Sequence, residues 1–151
     1  MTLRIATRAD TAEIWRVRYA VTENTLTPGR ISDAELHTYL ETYGRGWVVE
    51  LAPAPDLKIA GFAIGDARDG HIWAMFVDPP LHGQGYGRQL HDVMVDWLFS
   101  LGHRRLDLGT EPGSRAEAFY RRAGWTPTGD APDAHGDRPF ELHLENWKRH
   151  A

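Results

Sequence analysis

The residues best equipped for chemistry in this chain are His82-Gly83-Gln84-Gly85-Tyr86-Gly87-Arg88. Glycine alternates with other residues through the stretch. An apolar, strand-like run precedes it (Ile72-Trp73-Ala74-Met75-Phe76-Val77), and a strongly patterned helix follows. A glycine loop that opens a helix lets the backbone come close to a ligand. Its free N–H groups and the positive end of the helix dipole then face an anion. The stretch therefore points to a bound phosphate or pyrophosphate. The same residues could also form a tight strand-to-helix turn with no ligand. Two phosphate-loop patterns are excluded. The dinucleotide fingerprint needs glycine where Arg88 stands, and the P-loop pattern fails at the same place and lacks its lysine.

A second candidate segment is Arg115-Ala116-Glu117-Ala118-Phe119-Tyr120-Arg121-Arg122-Ala123-Gly124-Trp125. Tyr120 is its chemical residue. An unperturbed tyrosine has a pKa of about 10, so it holds its proton at neutral pH and can donate it. Tyr120 could equally be a packed aromatic with a satisfied hydroxyl. His71 opens the strand-like run. Its ordinary pKa of about 6.5 suits proton abstraction near neutrality. Glu50, Asp66 and Glu111 stand near strand ends as alternative bases, and ordered water is a further route for the proton. There is no cysteine. That removes thiolate metal sites and any acyl-cysteine intermediate. The eight histidines show no H-E-x-x-H and no clustered metal spacing, so no metal is expected.

The elements that must position these residues follow from periodicity. Leu3 and Ile5 mark a short first strand. A helix is expected from about Asp10 to Glu23, with Ile14, Val17 and Val21 on one face. A loop with a Pro28-Gly29 turn follows. Ser32-Asp33-Ala34-Glu35 reads as a capping box opening a short helix with Leu36, Tyr39 and Leu40. Strands are expected over Trp47 to Leu51 and Lys58 to Ile64, with the chain turned between them at Pro53–Pro55. Asp69-Gly70 is a hairpin signal into the Ile72–Val77 strand. Asp78-Pro79-Pro80 ends that strand, because proline cannot continue a ladder.

After the glycine loop, Leu90, Val93, Met94, Trp97, Leu98 and Leu101 recur at helical spacing and form one apolar stripe, which Gly102 ends. Leu106 and Leu108 mark the next strand. A helix over Arg115 to Ala123 turns Ala116, Phe119 and Tyr120 inward and stops at Gly124. Phe140, Leu142 and Leu144 alternate in a last strand. A Pro/Gly/Asp-rich loop between Thr126 and Arg138 precedes it, with a short strand near Trp125.

These residues carry a family resemblance. The glycine loop resembles motif A of the GNAT superfamily of N-acetyltransferases, Q/R-x-x-G-x-G/A, with His82 in the place of Gln or Arg. Ala116, Phe119, Tyr120, Gly124 and Trp125 match the same family's motif B. The element order also resembles the GNAT topology over nearly the whole chain. The resemblance implies one α/β GNAT-type domain over residues 1–151. Its central sheet is mixed and mostly antiparallel, is flanked by helices, and has the order β-α-α-β-β-β-α-β-α-β(-β).

The resemblance implies acetyl-CoA as acyl-donor cosubstrate and transfer of its acetyl group to a primary amine by direct attack. His82, Gly83, Gln84, Gly85, Tyr86, Gly87 and Arg88 would hold the pyrophosphate, with Arg88 free to pair with a phosphate. The main chain of Met75, Phe76 and Val77 would pair with the pantetheine arm, and an N–H there would stabilise the oxyanion. Phe119 would also touch the cosubstrate. Tyr120 would be the general acid and His71 the candidate base. Asn24, within the loop Glu23-Asn24-Thr25-Leu26, and Trp73 would line the acceptor side. Gly113 stands where many members have a pantetheine-binding Asn, so Ser114 or Thr110 is left to supply a polar contact.

Composition bounds the partners. The chain has 151 residues and a net charge of −4. It is long enough for one domain with a real core. No Lys/Arg stripe favours nucleic acid, and no apolar run approaches a membrane span. A cytoplasmic location is expected, with a small-molecule or peptide amine as partner. Acidity is compatible with a cationic amine. A homodimer is compatible with the chain, but no interface is legible. Two rivals stand beside the transferase: a non-catalytic acyl-CoA-binding or regulatory module, and a nucleotide-binding enzyme that uses the same glycines.

Overall fold

A sheet that pairs along most of its width and then parts between two strands organises the molecule. The structure is a computed structural model and describes residues 1–129, 132–133 and 136–147. Among the described residues seven strands lie in one sheet: β1 (Thr2–Ile5), β2 (Gly44–Ala52), β3 (Lys58–Asp66), β4 (His71–Val77), β5 (Arg105–Thr110), β6 (Thr126–Pro127) and β7 (Arg138–His143), in the order β1-β2-β3-β4-β5-β7-β6. Every neighbouring pair is antiparallel except β4 and β5, which are parallel. The mixed, mostly antiparallel α/β architecture expected from sequence is the architecture observed.

Alternation along the strands sorts the core into two layers. Val48, Ile59, Phe62 and Ile64 face one side, where α1 (Thr11–Ala20) and α2 (Asp33–Thr38) add Ile14, Val17 and Leu36. Trp47, Val49, Ala60 and Ala63 face the other. There α3 (Tyr86–Ser100), α4 (Arg115–Arg122) and a four-residue α5 (Leu144–Trp147) pack. Leu90, Met94 and Leu98 of α3 are fully buried, and each such side chain contributes about 1.5–3 kcal/mol. Gly65 lets α3 approach the sheet, since a Cβ there would lie 3.1 Å from Leu98 Cδ1.

Several boundaries differ from the sequence reading. Helix α1 ends at Ala20, so Val21 and Glu23 lie beyond it and reach the cleft described below. Ser32 Oγ accepts the Glu35 N–H at 3.1 Å, but the return half of the capping box is not made. After α2 the chain widens into a π-turn over Tyr39–Tyr43, which periodicity did not anticipate. Stacking of Tyr39 on Trp73, with ring centroids 4.0 Å apart, accompanies that turn.

The buried face of α3 is rotated from the expected stripe. His91, Val95 and Phe99 are buried with Leu90, Met94 and Leu98, whereas Val93 and Trp97 are partly buried and Leu101 is exposed. The helix is wedged between the sheet and the aromatic cluster of α4 and α5, so it buries a wide arc. In α4, Tyr120 is buried as expected, but Ala116 is exposed to the cleft. Leu144 begins α5 rather than continuing β7. The short strand expected near Trp125 is β6. Residues 130, 131, 134 and 135 of the loop before β7, and the chain end at 148–151, lie outside the described residues.

Candidate active site

Strands β4 and β5 meet in register at His71 and Asp107, and among the described residues no further pair is made between them. Beyond that point they diverge and leave an open cleft of about 300 Å³. The cleft is walled by β4, the glycine loop, the end of β5, the start of α4 and the segment after α1.

The edge of β4 that faces this cleft is unpaired main chain. The Asp78 N–H donates to the Ala60 carbonyl at 2.8 Å, and the pairing runs without a shift from Gly61↔Val77 to Ile64↔Ala74. The two-residue period then turns the amides of Phe76 and Ala74 toward β3, and those of Met75 and Val77 the opposite way. The Val77 carbonyl, pointing away from β3, lies 3.0 Å from His82 Nε2. A carbonyl only accepts, so His82 Nε2 carries the proton. His82 thus pins the glycine loop to the end of β4. Met75, Phe76 and Val77 all line the cleft, as do Trp73 and Asn24.

Gly85 is the N-cap of α3, at φ +88. Gly83 is also left-handed, at φ +81, and a Cβ at either position would enter open space. Glycine at the cap supplies no side chain, so no side-chain cap meets the first-turn amides, and no acidic side chain stands in that turn. These donors and the helix dipole are left for an anion. His82, Gly83, Gly85, Tyr86, Gly87 and Arg88 line the cleft; Gln84 is exposed and does not. Arg88 also pairs with Asp92 one turn on, with Nε 3.1 Å from Oδ1.

Tyr120 also lines the cleft and is 6% exposed. Burial pushes its phenol well above the ordinary tyrosine range, so it stays protonated at neutral pH. Among the described residues no hydrogen bond engages its hydroxyl. Phe119 lies beside it, its ring 3.6 Å from where a Cβ on Gly87 would stand. Ser114 caps α4 by accepting the Glu117 N–H at 3.2 Å, and Thr110 donates to the Glu111 carbonyl at 3.2 Å. Both line the cleft, with their hydroxyls engaged locally.

The structure separates the candidate bases. His71 does not line the cleft; it sits at the closed end of the parted strands, with Nδ1 2.8 Å from Asp107 Oδ1. The Asp107 carboxylate raises its pKa against the opposing effect of burial. Glu50 bonds Arg4 on the β1–β2 side. Asp66 is buried and paired with Arg68. Glu111 alone of the four lines the cleft. Its Oε2 accepts the Asn24 N–H at 2.9 Å, while Glu23 accepts the Arg115 N–H at 3.1 Å. The two carboxylates tie the segment after α1 to the β5–α4 loop across the cleft.

Sequence reasoning missed two polar residues near the site. His91 is completely buried: its Nδ1 donates to Asp92 Oδ1 at 2.8 Å and its Nε2 accepts from Trp125 Nε1 at 2.9 Å. Arg18 is buried at the end of α1. The sequence signal for His91 was its position beside Leu90, four residues before Val95. Arg18 follows Val17 on the inward face.

Among the described residues no group of three or more His, Cys, Asp or Glu could hold a metal, and no helix is long and apolar enough to cross a membrane.

Residues 9–125 match the model of the Acetyltransferase (GNAT) family. Over 65 residues the chain is 40% identical to the mycothiol acetyltransferase of Beutenbergia cavernae, a match covering 42% of this chain and 22% of that protein. A GNAT acetyltransferase from Staphylococcus aureus Mu50 superposes with a TM-score of 0.76 at 19% identity, covering 95% of this chain and 98% of that one. The yncA protein of Salmonella typhimurium, solved with its cofactor acetyl-CoA, superposes with a TM-score of 0.73 at 20% identity, covering 95% and 94%.

Proposed function

The chain belongs to the GNAT acetyltransferase family, and from that premise we propose that it transfers the acetyl group of acetyl-CoA to a primary amine by direct attack. The observation that carries the proposal is the parted β4–β5 edge, with the uncapped glycine loop and a protonated Tyr120 lining the same cleft. The residues fit the cosubstrate. The first-turn amides of α3 match a pyrophosphate, and the free Met75 and Val77 edge matches an amide-bearing arm laid down as an added strand. The yncA structure, with acetyl-CoA, supports the same assignment.

When bound, acetyl-CoA supplies an activated acetyl thioester. The residues of the chain do the rest. The glycine loop holds the anion and the β4 edge orients the arm. A β4-edge N–H stabilises the carbonyl oxygen as negative charge develops there. Glu111, directly or through water, takes the proton that the amine nitrogen must lose. The nitrogen–carbon bond forms, the carbon–sulfur bond breaks, and Tyr120 donates its proton to the departing sulfur and regains one from solvent. With no cysteine in the chain, no acyl-cysteine intermediate enters.

Ser114 and Thr110 lie where a polar contact to the arm is available, and Asn24 and Trp73 lie on the acceptor side. The binding-module rival keeps the same cleft without turnover. Release of free coenzyme A thiol, measured across a panel of primary amines, decides between them. Amine-dependent release that Tyr120→Phe slows supports the transferase. Tight acetyl-CoA binding with no release for any amine supports the module.

A further inference from the structure

A second, smaller cavity of about 130 Å³ adjoins the cleft; Asn24, Trp73, Ala74 and Phe76 border both. It lies on the α1–α2 face of the sheet, and its walls include Trp15, Leu36 and Phe62. Among the described residues one charged side chain lines it: Arg18, only 9% exposed. The Arg18 guanidinium lies 4.3 Å above the centre of the Phe76 ring, and its Nη2 donates to the Asn24 carbonyl at 2.8 Å. Its Nη1 is buried with no partner. Among the described residues no carboxylate pairs with it.

That is an unusual state for a guanidinium. Buried charges in proteins are almost always paired, because an isolated one loses its solvation without return. The Phe76 face and the Asn24 carbonyl offset part of that loss, but neither carries a charge. Burial correspondingly lowers the Arg18 pKa. Every other buried or half-buried arginine near the α1 face has its acid: Arg16 holds Glu13 and Asp78, and Arg4 holds Asp10. Arg18 is left with an unpartnered donor and lines a cavity that shares four wall residues with the proposed reaction cleft.

We infer that the amine acceptor carries a carboxylate, which docks in this cavity against Arg18 and places its amine in the main cleft. The inference rests on the acetyl-transfer reading for the ligand's role, but not for its charge. A carboxylate suits the site better than a phosphate. It brings one negative charge to one uncompensated positive charge, and it is compact enough for the small, apolar-walled space. The acceptor class is therefore an α-amino acid or a peptide with its carboxylate free, bearing an apolar or aromatic body to meet Trp15, Trp73 and Phe62.

The test is direct binding, so that it does not depend on turnover. L-Phenylalanine, L-tryptophan and L-leucine are titrated calorimetrically against the wild-type protein, each beside its own carboxamide, with glycyl-L-phenylalanine and its amide as a further pair. Coenzyme A is titrated separately. At least one acid is expected to bind tenfold or more tighter than its amide. Arg18→Gln and Arg18→Met are expected to abolish that preference while leaving the coenzyme A affinity within twofold. A preference among the free amino acids assigns the carboxylate to a single residue; one confined to the dipeptide pair assigns it to a peptide terminus. Equal binding of acid and amide in every pair, or no binding of either, overturns the inference. So does a preference that survives in both Arg18 variants. Should coenzyme A fail to bind while the acid preference holds, the transferase reading falls and the Arg18 site stands.

Discussion

His71 Nδ1 lies 2.8 Å from Asp107 Oδ1, and the same two residues form the one registered backbone pair between β4 and β5 among the described residues. The side-chain bond clasps the sheet where the strands still touch. Beyond it they part, and the cleft occupies the opening. On the proposed function, His71 holds the closed end, outside the cleft in which the amine would react. His71→Ala is expected to leave the pH dependence of kcat/KM unchanged. Its effect on stability should be small, under about 1 kcal/mol, because the pair is partly exposed. Loss of one limb of the pH–rate profile in this variant would restore His71 as the base.

Glu111 is the base candidate that the cleft retains. Glu111→Gln keeps an acceptor for the Asn24 N–H but cannot take a proton. A fall in kcat/KM of about 10²–10⁴ is expected, the range typical of a lost general base. Steady-state kinetics over a pH series would show it, and a rate within twofold of wild type would assign the proton to water alone.

Tyr120→Phe removes the hydroxyl and leaves the ring. Acetyl-CoA affinity should stay within about threefold and kcat should fall by about 10²–10³, since an acid acting on the leaving group is felt in the chemical step. Single-turnover rates with a competent amine, beside calorimetric binding, separate the two effects. Equal loss of binding and rate would make Tyr120 a packing residue.

Gly85→Ala tests the loop. At φ +88 an alanine is strained by about 1–2 kcal/mol although its Cβ meets nothing within 4 Å. The first-turn amides should be displaced, and acetyl-CoA affinity should fall at least tenfold. Denaturant melts would show the modest stability loss, and titration the large binding loss.

His91 sets an acid limit on stability. Its neutral form accepts from Trp125 and is enclosed by aromatic rings, and burial lowers its pKa in the folded state. The unfolded histidine protonates near pH 6.5. Below that pH the unfolded chain therefore binds the extra proton. His91's contribution is full above about pH 6.5 and is lost as the pH falls, by at most about 1.4 kcal/mol per pH unit. His71 has the opposite sign. Its folded pKa is raised, so its contribution is present below its unfolded pKa and fades as the pH rises through the folded one. In chemical melts between pH 5 and 8, His91→Gln should flatten the acid loss and His71→Ala should steepen it.

Legibility in the sequence followed the physics of each element. The glycine loop, β4 and α4 were readable because glycine spacing, strand alternation and helix stops are local signals. The face of α3 was not. Leu101 fits the helical stripe, yet it is exposed, because which arc is buried depends on α4 and α5 packing beside the sheet. Arg18 and His91 were invisible as buried groups, since polarity argues for the surface until the partners across the fold are known. His82 lines the cleft, and its bond to Val77, which also holds the loop in place, joins two positions that only the fold brings together. His71 and Glu111 look alike as titratable residues near strand ends, and only the divergence of β4 from β5 tells which one borders the cleft.

The most direct test of the central claim is calorimetric titration of the wild-type protein with acetyl-CoA, with ATP and NAD as controls. Saturable one-site binding of acetyl-CoA, weakened at least tenfold by Gly85→Ala and absent for ATP and NAD, is the expected result. No heat of binding up to millimolar acetyl-CoA, or equal binding of all three ligands, would contradict it.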